Sequence, residues 1–124
     1  MPGGFIGWSL DRGERQALLQ RFPPHYPEAV ADHVTLKFGE ANASLPTETG
    51  GEIVGEADDG AGVQAMVVRI GGTTDRPDGS TYHITWSLGA GRTAKESNDV
   101  IAAHRWTPIE PNVPVKLTPK AYSR

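Results

Sequence analysis

Two segments of the chain alternate between apolar and polar residues, with the period of two expected of a β-strand that buries one face. They are residues 32–38, which read DHVTLKF, and residues 81–88, which read TYHITWSL. Four further strands are predicted from short apolar runs between turn residues: 5–10, the hairpin formed by 53–56 and 63–70, and a last strand over 113–117. The pattern therefore predicts a chain built mostly from short strands.

Two helices are predicted between these strands. Asp11 and Glu14 have the spacing of a capping box, and an apolar run follows until a pair of prolines, so a helix is expected over about residues 11–22. A second helix is expected to run through residues 100–103, with the polar residues 97–99 as its cap. Both helices are short, and they leave most of the chain to strands and turns.

The segments between these elements are rich in residues that form turns. Residues 39–50 are predicted to be a surface loop and residues 75–79 a turn. The mixture of helices and strands predicts an α+β fold in which an antiparallel sheet is covered by two helices. With 124 residues, the chain is expected to form a single compact domain over residues 1–124.

The composition excludes several classes of protein. The chain has no cysteine, which excludes disulfides, a thiol nucleophile and cysteine-ligated zinc or iron–sulfur centres. Its formal net charge of −3 argues against a protein that coats long nucleic acids regardless of sequence. No segment has the pattern of a secretory leader or the roughly 20 apolar residues that cross a bilayer. We therefore expect a cytoplasmic monomer without a membrane partner.

The two alternating strands share a four-residue pattern of His, apolar, Thr, apolar, which reads HVTL at 33–36 and HITW at 83–86. Because side chains alternate along a strand, each copy should turn its histidine and threonine to one face and its apolar residues to the other. The polar faces would carry His33, Thr35 and Lys37, and Thr81, His83, Thr85 and Ser87; the buried faces would carry Val34, Leu36 and Phe38, and Tyr82, Ile84, Trp86 and Leu88. If the two strands lie near each other in one sheet, two imidazoles and two hydroxyls flank a common groove.

Such a groove suits the hydrolysis of a phosphodiester without a metal ion. The reaction needs a base that takes a proton from water and an acid that gives one to the departing alkoxide, and histidine can do either near neutral pH. His33 and His83 are therefore the candidate catalytic residues. The hydroxyls of Thr35 and Thr85 are candidates to hold the phosphate oxygens. The sequence leaves open which histidine is the acid.

Two other roles for the histidines are open. They could be structural residues, each hydrogen-bonded at a half-buried strand position. They could also bind a metal, but the chain's histidines have no spacing typical of zinc ligands, and Asp32 is the only carboxylate next to one of them. We therefore expect no metal and no cofactor.

With these motifs the sequence resembles the 2H phosphoesterase superfamily, which is named for its two His-x-Thr/Ser motifs. The resemblance covers roughly residues 5–118: a strand, a helix that ends in Phe-Pro, then HVTLKFG, a central hairpin, YHITWSL and KESNDV. This order is similar to that of the cyclic phosphodiesterase domain of fungal and plant-type tRNA ligases. It is also similar to the small Swiss Army knife RNA-repair-like 2H proteins of bacteria and phages.

The resemblance implies both a fold and an activity. It implies a bilobal cleft in which His33 and His83 match the catalytic pair, and Thr35 and Thr85 match the phosphate-binding hydroxyls. The implied activity is the metal-independent hydrolysis of 2′,3′-cyclic phosphates, with a nucleotide or an RNA end as the substrate. Two alternatives stay open: a phage-type hydrolase of cyclic oligonucleotide messengers, and a non-catalytic module that binds nucleotides or RNA ends on the same scaffold.

Four further residues are candidate substrate contacts: Tyr26, Lys37, Ser97 and Asn98. Lys37 could offset phosphate charge, although an exposed strand lysine is as often a solubilising residue. Ser97 and Asn98 could present N–H groups to an anion at a helix N-terminus, or could only cap that helix. Tyr26 could stack on a base. Arg92 and Lys95 could meet flanking phosphates, but ordinary surface charge is the favoured interpretation.

Overall fold

The elements of the fold follow the predicted order, with one strand more. The structure is a computed structural model that describes residues 4–38 and 44–122. Within them the elements are β1 (Phe5–Leu10), α1 (Arg12–Arg21), β2 (Glu28–Ala29), β3 (His33–Phe38), β4 (Gly50–Asp58), β5 (Val63–Arg69), β6 (His83–Leu88), α2 (Ser97–His104) and β7 (Thr107–Tyr122). Part of the predicted loop 39–50 lies outside the described residues, and its described part has no regular structure before β4 begins. The predicted α+β fold in a single domain is confirmed.

The strands close into a barrel. Six of them form a ring in the order β6-β3-β1-β7-β4-β5, and antiparallel pairing of β5 with β6 completes it. β2 is a short additional strand that pairs with the far end of β6. The predicted antiparallel sheet is therefore present, but its edges meet. Alternation within a strand cannot reveal this closure, because it does not specify the partner of the strand.

Apolar side chains of the barrel strands fill the interior. Trp8 and Trp86 are the largest fully buried side chains, and their indole N–H groups donate to the carbonyls of Glu48 (3.0 Å) and Phe22 (2.7 Å). The other interior side chains are mostly aliphatic and include Leu10, Val34, Ile53, Met66, Ile84, Val113, Val115 and Leu117. The last three confirm the alternation predicted for the final strand.

Helix α1 packs against this interior cluster through Leu18 and Leu19, and Phe22, directly after the helix, packs there as well. The Asp11 carboxylate accepts a hydrogen bond from the Glu14 backbone N–H at 2.9 Å, as predicted for the N-cap. The Glu14 carboxylate does not complete the predicted box; it accepts from the backbone N–H of Lys116 on β7 at 2.9 Å. That contact fastens the helix to the barrel.

Helix α2 covers the outside of the barrel. A second apolar cluster lies beneath it, formed by Val100 and Ile101 with strand residues such as Val54, Val67 and Leu88. A 3₁₀ turn precedes the helix, and in it the Glu96 carboxylate accepts from the Thr93 N–H at 2.7 Å. The predicted cap at residues 97–99 is therefore wrong, because the Thr-x-x-Glu pattern one turn earlier begins the helical segment. Neither α1 nor α2, the α-helices of the described residues, is long and apolar enough to cross a bilayer.

Strand β3 contains a β-bulge directly after the histidine and threonine of its motif. Ile6 of β1 pairs with Lys37 and Gly7 pairs with Thr35, so Leu36 is the extra residue. Because paired residues share a side of the sheet, Phe38 lies on the same side as Thr35, and Lys37 lies on the other. The structure therefore reverses the predicted faces of Phe38 and Lys37, and Phe38 is 56% exposed.

Strand β6 contains a bulge at the same position of its motif. Thr85 pairs with Ala65 and Ser87 with Gln64, which makes Trp86 the extra residue. Leu88 consequently joins the outer apolar cluster beneath α2. Ser87 is buried, and its hydroxyl donates to Gln64 Oε1 at 2.6 Å. The predicted polar face of this strand ends at Thr85.

Strand β7 is much longer than predicted. It covers 16 residues, Thr107–Tyr122, whereas the alternation predicts only residues 113–117. Four prolines interrupt the pattern, since a proline cannot donate to a sheet and usually marks the absence of a strand. Pairing with β1 on one side and β4 on the other holds the strand in place.

We expect Gly7→Ala to lower the free energy of unfolding by about 1–3 kcal/mol, the usual range for overpacking. A Cβ at Gly7 would collide with the carbonyl oxygen of Val34 and lie 3.0 Å from the nitrogen of Leu36, both backbone atoms beside the bulge. Urea unfolding measures the change. Gly13→Ala is the matched control, because its Cβ would meet only the Asp11 carboxylate at 3.1 Å and alanine favours the helix. Wild-type stability in Gly7→Ala would contradict this packing.

Candidate active site

The two motif strands are neighbours in the barrel wall. Val34 of β3 pairs with Ile84 of β6, so the polar side chains of the two motifs lie side by side on the outside of the barrel. A cavity of about 420 Å³ is lined by His33, Thr35, His83 and Thr85, together with Phe5, Phe38, Arg76, Ala94, Lys95 and Asn98. The structure thus brings the four motif residues together in one site.

His83 is held as a neutral imidazole with a defined tautomer. Its Nδ1 lies 2.8 Å from the carbonyl oxygen of Thr81, which can only accept, so Nδ1 carries the proton. Burial lowers the pKa of His83 below its ordinary value, and the positive charges of Arg76 and His33 act in the same direction. The hydrogen bond to Thr81 opposes this shift without cancelling it. Nε2 of His83 therefore carries a lone pair that can accept a proton.

His33 has a carboxylate partner instead of a carbonyl. Its Nδ1 lies 3.0 Å from Asp32 Oδ2, and the guanidinium of Arg12 donates to the other carboxylate oxygen at 3.1 Å. Burial works to raise the pKa of Asp32, but the hydrogen bond and charge of His33, with Arg12, hold that pKa below its ordinary value. The ionised Asp32 orients the His33 ring through this contact. The rings of Phe5 and Tyr122 pack against it, with centroids at 5.0 and 5.3 Å.

The two motif threonines differ in their surroundings. Within the described residues the Thr35 hydroxyl has no hydrogen-bond partner, so it is available to a ligand in the cavity. Thr85 Oγ1 lies 2.8 Å from Ser97 Oγ and 3.3 Å from the carbonyl oxygen of Ala94. Either hydroxyl can donate in the first of these contacts. When Ser97 donates, the proton of Thr85 can turn towards the cavity.

Arg76 is a buried cation whose contacts within the described residues are long. Its side chain is 2% exposed, and its Nη atoms reach Asn98 Oδ1 and Asp78 Oδ2 only at 3.4 Å. Its Nε has no hydrogen-bond partner within the described residues. The guanidinium lies 5.7 Å from the centre of the Phe38 ring. A buried guanidinium with unused donors is costly to the folded protein unless a ligand supplies the missing acceptors.

The charge of the cavity is one-sided. Arg76 and Lys95 line it beside the two histidines, and none of the described residues that line it is an aspartate or glutamate. This is notable in a chain whose formal net charge is −3. The lining therefore favours an anionic ligand over a cation or a neutral molecule.

The structure places only some of the candidate substrate contacts from the sequence at the cavity. Asn98 lines the cavity, and so does Lys95, for which ordinary surface charge was the favoured interpretation from the sequence. Ser97 is buried behind Thr85 and positions its hydroxyl. Lys37 is not among the lining residues, since the bulge at Leu36 turns it away. Two candidates are bound elsewhere: the Tyr26 hydroxyl donates to Asp58 Oδ1 at 2.6 Å, and Arg92 donates to Asp59, Glu96 and the Ala61 carbonyl.

Among the site residues that sequence reasoning missed, three bear on its chemistry. Arg76 stands in the run Asp-Arg-Pro-Asp-Gly, which has the composition of an ordinary turn, and only its burial shows its role. Phe38 was assigned to the core because the bulge has no signal in the sequence. Asp32 could have been found, because an acid directly before a candidate catalytic histidine is well placed to orient it.

Within residues 4–38 and 44–122, no group of three or more histidine, aspartate or glutamate side chains is arranged to hold a metal ion. Comparison with protein families, curated proteins and solved structures finds no match to this chain. The resemblance to 2H phosphoesterases therefore rests on the two motifs and the order of the elements around them. What the site can do has to be argued from its geometry.

Proposed function

We propose that the protein is a metal-independent phosphodiesterase that hydrolyses 2′,3′-cyclic phosphates of nucleotides or RNA ends. One observation carries the proposal: two histidines with different hydrogen-bond partners line one cavity together with the cations Arg76 and Lys95. In this proposal the cavity between the barrel wall and residues 94–98 serves as the cleft that the resemblance to 2H phosphoesterases implies. A volume of about 420 Å³ suits a ligand the size of a nucleotide.

The surroundings of the two histidines support a different role for each. His83 Nε2 takes a proton from a water molecule, because its lowered pKa keeps that nitrogen unprotonated near neutral pH. The oxygen of that water bonds to phosphorus, and the bond from phosphorus to one ribose oxygen breaks. His33, paired with Asp32, gives its Nε2 proton to the departing ribose oxygen. The product is a phosphomonoester, and proton exchange with solvent restores both histidines.

The remaining lining residues hold the phosphate while negative charge builds on its oxygens. Thr35 donates its hydroxyl, and Arg76, whose Nε has no partner within the described residues, supplies a fixed positive group. Thr85 adds a second hydroxyl donor when the Ser97 hydroxyl donates the hydrogen bond between the two side chains. Because these groups are in place before the ligand arrives, little reorganisation is needed during the reaction.

The direct test is an assay of the purified protein in excess EDTA. We expect turnover of adenosine 2′,3′-cyclic phosphate, of RNA with a 2′,3′-cyclic end, or of both, since the proposed proton transfers need no metal. The double variant His33→Ala/His83→Ala, purified in the same way, controls for a contaminating enzyme. Full loss of activity in EDTA that Mn²⁺ or Zn²⁺ restores would overturn the two-histidine mechanism.

The same assay separates the alternatives. Turnover confined to cyclic dinucleotides or trinucleotides would favour a hydrolase of cyclic oligonucleotide messengers. Tight binding of cyclic phosphates without turnover in any condition would favour a binding module, and would remove the catalytic roles of His33 and His83.

A further inference from the structure

A second cavity of about 520 Å³ adjoins the first on the outside of the barrel. It is lined by Gly79, Ser80, Thr81, Asn98, Ile101, Ala102, Arg105, Trp106 and Pro108. Asn98 lines both cavities, and its contact with Arg76 at 3.4 Å lies at their boundary. Thr81 lines the second cavity, and its carbonyl accepts the hydrogen bond that orients His83. The two cavities are therefore neighbours: residues 79–81, just before β6, line the second cavity, and His83, the first residue of β6, lines the first.

The lining of the second cavity has the chemistry of a nucleotide site. In the part of the chain that the structure describes, no residue that lines this cavity is an aspartate or glutamate, and Arg105 supplies a positive charge. Trp106 supplies an indole, whose other surroundings include Gly55, where a Cβ would collide with the ring. An aromatic ring offers a stacking surface to a base, and a guanidinium pairs with a phosphate. Ser80 and Thr81 add short polar side chains.

The backbone of Arg105 gives an independent sign of function. Its φ of 61° and ψ of −163° lie in a region that is strained for any residue with a Cβ, and Arg105 is the residue that ends α2. Glycine would satisfy this conformation without strain. An arginine at this position is explained if its side chain binds a partner and the binding energy offsets the cost of the backbone strain. A cation at a helix C-terminus also interacts with the helix dipole, so the test has to separate a ligand from that effect.

We propose that the second cavity binds the nucleotide that precedes the cyclic phosphate end, so that the preferred substrate is an RNA end of at least two nucleotides. This inference rests on the proposed function. The terminal nucleotide lies in the histidine cavity, with its base near Phe38. Its 5′-phosphate passes Asn98 and pairs with Arg105, and the preceding base stacks on Trp106. The substrate then carries two phosphates, one for each cavity.

The test compares adenosine 2′,3′-cyclic phosphate with the dinucleotide adenylyl-(3′→5′)-adenosine 2′,3′-cyclic phosphate. We expect the wild type to prefer the dinucleotide by at least about tenfold in kcat/KM, as one added charge-assisted contact allows. Arg105→Gly should remove most of this preference by raising KM for the dinucleotide, and it should leave the mononucleotide unaffected. Arg105→Lys should retain part of the preference. Lys116→Gln, which removes an exposed charge on β7 outside both cavities, is the control for net charge.

The outcomes distinguish this inference from the proposed function. Equal kcat/KM for the two substrates, or an equal loss on both in Arg105→Gly, would overturn the second site. Lowered stability of Arg105→Gly with unchanged preference would assign Arg105 to the helix dipole alone and would also overturn it. If neither substrate is hydrolysed, the proposed function fails. Calorimetric measurement of dinucleotide binding then decides whether the second site exists. Binding that weakens in Arg105→Gly supports the second site, and absence of binding rejects it.

Discussion

His33→Ala and His83→Ala are each expected to lower kcat with a nucleoside 2′,3′-cyclic phosphate by at least about 10²-fold, the effect of losing a general acid or base. Thermal unfolding should show that the fold is intact, since both side chains lie on the outside of the barrel. His104→Ala is the matched control, because His104 is exposed at the end of α2 and lines neither cavity. A His33 or His83 variant that keeps more than about a tenth of the wild-type rate would remove that residue from the mechanism.

The pH profile of the same variants tests the assigned roles. The wild-type kcat/KM should rise and then fall with pH, because one imidazole must be neutral and the other protonated. Since burial and nearby cations lower the pKa of His83, the rising limb should lie below about pH 6.5, the ordinary histidine value. In the residual activity, His83→Ala should lack the rising limb and His33→Ala the falling limb. The opposite pattern would exchange the two roles.

Arg76→Met is expected to lower kcat/KM by about 10²-fold or more, the usual effect of removing a fixed group that stabilises transition-state charge. The free energy of unfolding should stay unchanged or rise, because a buried cation with long contacts and with an Nε that has no partner within the described residues destabilises the folded protein. Methionine fills a similar volume and needs no partner. A lower kcat/KM together with an unchanged or higher free energy of unfolding indicates that the residue contributes to ligand binding and not to stability.

Two further variants sharpen this test. Arg76→Lys should restore part of the activity, since it keeps the charge but loses the planar set of donors. Arg21→Met removes an exposed arginine from α1 and should change neither activity nor stability. If Arg76→Met instead unfolds the protein in proportion to its loss of activity, Arg76 is a structural residue and the phosphate contact proposed for it is wrong.

Alternation along β3 and β6 was sufficient to predict that the histidine and threonine of each motif share one face and that Leu36 and Trp86 face the core. It failed at the residues that follow them in both strands. Leu36 and Trp86, the fourth residues of the two motifs, are the bulge residues. A bulge depends on the partner strand, where Gly7 gives the β3 backbone the space it needs. The sequence of a single strand carries no signal for this, so Phe38, Lys37 and Leu88 were placed on the wrong faces.

In the candidate site, too, some residues can be recognised from the local sequence, and others belong to it only because of the tertiary fold. His33, Thr35, His83 and Thr85 form a repeated local pattern and could be singled out from it. Arg76 belongs to the site only because the turn at residues 75–79 packs over Phe38 and α2, which requires the whole barrel. The predicted capping box of α1 shows the same difference. Asp11 caps its helix as its sequence predicts, whereas Glu14 binds β7, more than a hundred positions away along the chain.

The closed ring of strands also has a consequence for how the protein folds. β1 pairs with β7, and the two motif strands pair across the whole central hairpin, so most of the ring joins segments that are distant in the chain. Chains with such non-local pairing typically fold in about milliseconds to seconds, because loop entropy is lost before the contacts form. The cavity needs β3, β6 and the segments around Arg76 and Asn98 at once. During refolding, catalytic competence should therefore appear with the final closure of the ring, later than helix formation and collapse.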